Sequence, residues 1–566
     1  MKLPGMKVIA CCGALLLSPL VRADEDVVSR ALHDEMQRSM QKLQLDQLSK
    51  PYFISYLVLD NDISEVSATL GSVVSSIESK SRILLVTVKV GDYALDSSNF
   101  LSMPSGPQGI SALVTAGAAL LPLDDNYNEL RRKIWLTTDR AYKKALEDFS
   151  GKQAALQNRN RSENLADFSK AIPVSISETP PRADLDAAAA TRLVRETSGV
   201  FRQTPSVETS LAQLVMSNRQ ERYLNSEGSS FVRRVPHVSL RVSAVAQAPD
   251  GMALSDFIML YGYSLKDLPG GAALMSRVRD LQNEIVKLQA APLQERYEGP
   301  VLFEGQAAAE AFSRHFAAGL TAVPALISGN DQLAQAFRAQ SGGMLDKIGS
   351  RVLPAFINVT DDPTATREKD ALLFGGHMVD EEATVPQRTS LVEHGVLKTL
   401  LTSRAPVHGI AVSTGSEREL GVAPSNLFVS ADQTQTSEEL RRRLIQSAKE
   451  QGRQYGILVR RLSGKTATLA YRIYPDGHEE LVRNAVVEDL TPANMKEIAA
   501  VSDQRVVYTE AAPVKSSPFN LNLFAGGRPL VSYVVPAFLF NDLTIEKPNG
   551  ETPKRTVLSN PLAEKP

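Results

Sequence analysis

The sequence predicts an α+β protein in two parts: an N-terminal helix and sheet region, then a C-terminal domain of curved antiparallel sheet with helices. Three observations carry this. Hydrophobic spacing switches between a helical period and a strand period within both halves of the chain. The composition, 43% hydrophobic and 22% charged with 34 Gly and 31 Pro in 566 residues, is that of a globular chain with ample core. Glu298-Gly299-Pro300 breaks the pattern and places the main boundary near residue 295.

Residues 25–48 space Val28, Leu32 and Met36 four apart, as one face of a helix. From Tyr52 the period becomes two: segments 52–60 and 64–78 flank an expected turn at Asp60-Asn61-Asp62, and Leu84, Val86, Val88 and Val90 alternate. Residues 126–158 return to helix, with Trp135 expected near its core-facing stripe. A connector with Pro173, Pro180 and Pro181 spans 172–182, before a helix at 184–203 and strands from Val207 to Gly262 that turn at Asn225-Ser226-Glu227-Gly228. Leu274, Val278, Leu281, Ile285 and Leu288 mark a further helix. Beyond the boundary come a strand at 300–303, a helix at 307–318, an apolar strand from Val352 to Val359, and hairpins divided by a helix at 437–450. That last helix opens with the capping-box pattern Thr436-x-x-Glu439.

The first 23 residues differ from the rest. Lys2 and Lys7 precede an apolar run from Val8 to Val21, and Val-Arg-Ala leads into acidic Asp24 and Glu25, the form of a signal peptide cleaved after Ala23. The run is too short for a membrane span, which needs about 20 residues. Both cysteines, Cys11 and Cys12, lie inside it, so the mature chain is expected to carry no thiol chemistry and no cysteine-based zinc site. The expected layout is a signal peptide at 1–23, an N-terminal region at 24–295, a C-terminal domain at 296–545 and a polar tail at 546–566, exported to the periplasm or beyond.

Charge and motifs exclude several functions. With 62 basic against 64 acidic residues and a single Trp, neither the field nor the rings suit nucleic acid. Ser463-Gly464-Lys465-Thr466 ends like a phosphate loop, but Val459 stands where the first glycine must be, so a hairpin turn is expected. No G-x-G-x-x-G or G-x-S-x-G occurs. None of the seven histidines forms an i, i+4 pair; His394-Gly395 reads as a turn, and His377, His394 and His408 could meet only through folding. Asp361-Asp362 before Pro363 reads as a turn, with an acid/base pair as the alternative, and the acidic runs at 380–382 and 417–419 read as solvated loops.

Several segments, in order, give the chain a resemblance to the TldD/PmbA family of zinc-dependent peptidases and their inactivated homologues. They are Gly299-Pro300-Val301-Leu302-Phe303, Asp361-Asp362-Pro363-Thr364, the stretch 379–404, Ser413-Thr414-Gly415, and Pro424-Ser425-Asn426-Leu427-Phe428. Active members carry HExxxH on the helix after the first of these strands and a cysteine ligand farther on. Here that helix reads EGQAAAEAFSRHFAAGL from 304, which puts Ser313 and Arg314 at the His-Glu positions and Ala318 at the second histidine. A permanent cation at 314 opposes a bound metal.

The resemblance therefore implies a secreted, non-metal-binding member, similar to the PmbA/TldE-like proteins, with no cofactor and no catalytic residue assigned. It implies a pseudo-peptidase that helps a TldD-like zinc-bearing subunit, or a second copy of itself, hold unfolded peptide by offering sheet edges to its backbone. Two alternatives are a metallopeptidase with an atypical site around Asp361, His377, His394 and His408, in which zinc would return, and a structural envelope protein without peptide affinity.

Overall fold

The computed structural model describes residues 26–101, 116–157, 165–330, 341–463, 466–483, 485–488, 490–512, 514–515 and 528–547, with single positions at 332, 334–335 and within 556–561. The expected signal segment, Gly464-Lys465 and most of the tail lie outside these residues.

The N-terminal half is one long sheet of seven strands. In spatial order, Ala118–Leu120, Ser72–Val90, Pro51–Thr69, Val207–Asn225 and Ser230–Gln247 lie side by side; Ser175–Glu178 and Ala253–Gly262 then share the outer edge of the last. Four helices cover one face. Val27–Lys42 and Tyr127–Gln157 pack Val28, Leu32, Met36, Leu130 and Ile134 onto Ile54, Tyr56 and Val58. Farther along, Ala187–Gly199 and Gly271–Ala290 pack Val194, Leu274, Val278, Leu281 and Ile285 onto Leu214, Met216, Leu240 and Val242. Leu57 and Leu59 alternate to the opposite face and meet Val379 and Ala383 of the C-terminal half. Two covered faces explain why this strand reads as an almost unbroken apolar run.

Two expectations are corrected here. Asp60-Asn61-Asp62 is mid-strand; the hairpin turns at Leu70-Gly71, both at positive φ. Asp60 stays in the sheet because Arg82 and Arg222 on the flanking strands both pair with it, which gives the acidic side chain partners that a turn would otherwise supply. Trp135 is 43% exposed rather than core, and Arg38 lies 5.8 Å over its ring. An indole one helical step off the buried stripe keeps its face for a cation.

The C-terminal half closes part of its sheet on itself. Tyr297–Phe303 pairs with Gly456–Ser463, which pairs with Thr466–Ile473, then Ala485–Val487, then Leu530–Glu546, which returns to Tyr297–Phe303. Closure removes edges that would otherwise template aggregation. From the long last strand the sheet extends through Asn426–Ala431, Ile357–Asp361, Thr389–Glu393 and Val396–Leu397, while Ile498–Ala511 lines its other side. Val301 and Phe303 pack with helix Gln306–His315, and Leu302 with Leu440 and Leu444 of helix Ser437–Glu450. The Thr436/Glu439 capping box is made in both directions. The apolar strand expected from Val352 forms only from Ile357.

Candidate peptide-binding cleft

Helix Gln306–His315 begins after Gly305 at φ +61, which a side chain would strain. Its four alanines, at 307, 308, 309 and 311, are fully buried and bring the backbone close to the closed sheet. Amid them lies a carboxylate, Glu310, only 1% exposed. It accepts from the Leu462 N–H at 2.6 Å and from Gln306 Nε2 at 2.9 Å, and burial pushes its pKa up to about 7.

The positions that the resemblance assigns to the ligands do not share one surface. Ser313 is buried, and its hydroxyl donates to the Glu310 carbonyl at 3.2 Å. Arg314 and Ala318 are exposed. The α-helix stops at His315, Phe316 departs from helical angles, and Ala317–Leu320 forms a separate tight turn of helix. Donor chemistry and geometry alike fail to fit a zinc ion here. Among the described residues, no group of three or more His, Cys, Asp or Glu side chains is placed to hold a metal.

The three histidines of the atypical-site alternative sit in unlike settings. His394, at φ +46, forms the hairpin turn with Gly395 and contacts Asp432 at 3.0 Å. His377 has a ring nitrogen 3.1 Å from each of the Gly375 and Gly415 carbonyls, and its pKa falls to about 3 through burial and the nearby Arg418. His408 is exposed. Asp361 ties the buried Ser425 by its N–H and hydroxyl at 2.8 and 2.7 Å, and Asp362 closes the turn by accepting from Thr364.

The acidic runs are not solvated loops. Asp380 is fully buried; it accepts from the backbones of Glu382, Thr384 and Glu417, and burial, with Glu382 nearby, raises its pKa to about 7. Glu381 accepts from the Glu419 and Leu420 N–H groups, both at 2.8 Å, and Glu382 from that of Arg404 at 2.6 Å. Three successive carboxylates thus serve three separate sets of loop N–H groups in the seam between the halves.

What the sequence did not reveal is a cleft beside the degenerate helix. Strand Ala253–Gly262, helix Gly271–Ala290, Gln306 and Arg461 enclose a space of 440 Å³. At its inner end, Arg461 bonds Asp256 and approaches Glu284 at 3.2 Å; burial holds the Asp256 pKa up at about 6. The strand pairs on one side only, among the described residues. Phe257 N–H is taken by its neighbour Asp256 Oδ1 at 2.8 Å, so it points away from Ser230–Gln247. Met259 and Tyr261 follow it at the two-residue period and present N–H and C=O in the same direction. No residue-type motif marks an unpaired edge; its sole sequence trace is the turn chemistry that ends the strand at Gly262.

Residues 295–547 match the family described as PmbA/TldA metallopeptidase C-terminal domain. A sequence comparison with curated proteins finds no match. Among solved structures, TldE from Thermococcus kodakarensis is similar at 14% identity and a TM-score of 0.58, over 91% of this chain and 100% of that one. A protein described as a putative modulator of DNA gyrase from Thermotoga maritima is similar at 13% and 0.54, over 87% and 96%. One of the same description from Bacteroides thetaiotaomicron is similar at 11% and 0.55, over 92% and 98%. The chain therefore has a TldD/TldE-like fold, and its residues 295–547 match the PmbA/TldA metallopeptidase C-terminal domain.

Proposed function

We propose that the protein is an exported, metal-free pseudo-peptidase subunit that holds unfolded peptide for a zinc-bearing relative. One observation carries the reading: an open strand edge, at Met259 and Tyr261, lies along a cleft between that strand and helix Gly271–Ala290, and Gln306, the first residue of the helix that in active relatives would supply the metal ligands, lines it. Extended peptide adds to such an edge through its own backbone, which is sequence-tolerant recognition and needs no catalytic group. The resemblance to inactivated family members supports the pairing with an active subunit.

The test is fluorescence anisotropy of a labelled unfolded peptide with the mature chain, alongside elemental analysis of protein purified without added metal. Met259→Pro removes one outward N–H from an edge, where proline is tolerated. It is expected to weaken binding by about tenfold, near 1.4 kcal/mol, with the thermal melt unchanged. Stoichiometric zinc, or binding indifferent to Met259→Pro, overturns the reading.

A further inference from the structure

We propose that the peptide this cleft selects has period-two alternation, charged side chains on one side and aromatic or aliphatic ones on the other: the pattern of an amphipathic β-strand in an unfolded chain. The inference rests on the peptide-holding reading above and adds what the peptide must look like.

A strand added to an edge places its side chains beside those of the edge strand, alternately on the two faces of the sheet. Along Ala253–Gly262 those faces differ in chemistry. Asp256, Ile258 and Leu260 point toward helix Gly271–Ala290; Ile258 and Leu260 pack on its core, and Asp256 reaches Arg461. On that side the helix lines the cleft with Arg277, Asp280, Glu284 and Lys287. These are spaced i, i+3, i+7 and i+10, one stripe roughly 15 Å long at 1.5 Å per residue. Same-face residues of an added strand recur about every 6.6 Å. Two or three of them would meet this stripe, which carries both signs of charge, and an apolar side chain there would strand the charges without partners.

The other face is aromatic. Tyr261 has His237 at 5.9 Å and Phe374 at 6.0 Å, and Phe374 has Tyr263 at 4.9 Å. His237 is part of this apolar wall, because burial and the nearby Arg219 keep its ring neutral. Side chains of an added strand on this face meet rings, where aromatic pairs contribute about 0.5–1.5 kcal/mol beyond the area they bury. Neither face alone distinguishes an unfolded chain from any other; together they read alternation, and so recognise a segment that belongs in a sheet and is not yet in one.

Three labelled peptides of equal length test this on the full mature chain by fluorescence anisotropy. One alternates Lys or Glu with Phe or Val, one has the same composition in separate charged and apolar blocks, and one is Gly/Ser only. The alternating peptide is expected to bind at least about tenfold tighter than the block peptide. Asp280→Ala combined with Lys287→Ala, both at exposed helix positions, is expected to narrow that preference. Equal binding of the alternating and block peptides overturns this inference and leaves peptide holding intact. No binding of any peptide overturns both.

Discussion

Arg404 and Glu227 form a two-pronged ion pair across the seam between the halves, Nη1 to Oε2 at 2.7 Å and Nη2 to Oε1 at 2.8 Å. The guanidinium also donates to the Ser169 carbonyl and lies 4.1 Å over Phe168, and its side chain is 1% exposed. Removing one partner leaves a buried charge uncompensated, which typically costs about 3–5 kcal/mol. Glu227→Ala is therefore expected to lower the denaturant midpoint by that equivalent. Arg404→Lys should recover little of the loss of Arg404→Ala, because an ammonium reproduces neither the fork nor the stacking. Equilibrium unfolding of the three variants checks both statements.

Glu310 predicts a pH dependence of stability. Its folded pKa is raised from 4.5 to about 7, so the native state keeps a proton that the unfolded chain releases. Between those values unfolding releases a proton, and this carboxyl's contribution, fully present at low pH, is lost as pH rises toward 7. The total is on the order of 3 kcal/mol, at about 1.4 per pK unit. Other carboxylates titrate in the same range, so the expected outcome is a difference: Glu310→Gln flattens the slope of unfolding free energy against pH between about 5 and 7 relative to the unaltered chain. Parallel slopes would show that Glu310 is ionised in the native state.

Gly395 predicts a turn that tolerates no side chain. At φ +76, beside His394 at φ +46, it closes the hairpin of Thr389–Glu393 with Val396–Leu397, and a Cβ would come within 2.2 Å of the Leu353 carbonyl oxygen. Gly395→Ala combines left-handed strain with a backbone clash, each of order 1–3 kcal/mol. His394→Asn is expected to be neutral or slightly stabilising, since Asn takes positive φ readily. Thermal unfolding of the two variants checks the contrast.

These cases show which parts of the molecule were legible in the sequence. Helix 437–450 was bounded to the residue because its cap is local chemistry, and the helix marked by Leu274 to Leu288 because its buried stripe is unbroken. Asp60 reads as a turn residue in the sequence because its partners, Arg82 and Arg222, come from other strands. The carboxylates at 380–382 read as solvated for the same reason: the N–H groups they satisfy belong to loops up to about forty positions away. The cleft left no motif at all, since an unpaired edge is a property of the sheet order rather than of Met259 or Tyr261 themselves.

The degenerate helix yields the last prediction. Had the chain lost ligands alone, restoring them at Ser313, Arg314 and Ala318 would restore a site. The geometry adds a second obstacle. Ser313 is 6% exposed among the alanines that bring the helix against the closed sheet, and an imidazole there would overpack the core at a cost of about 1–3 kcal/mol. Ala318 lies beyond the helix end, on the tight turn Ala317–Leu320, and is exposed where Ser313 is buried. Two imidazoles at these positions do not converge on one point, and both cysteines of the chain lie at 11 and 12, so a third thiolate ligand is absent as well. The combined variant Ser313→His, Arg314→Glu, Ala318→His is expected to hold well below one zinc per chain after dialysis and to unfold more easily than the unaltered protein. Ser313→Ala with His315→Ala should leave the metal content unchanged. Stoichiometric zinc in the triple variant would mean that residues 313–318 rearrange into a ligand-bearing form.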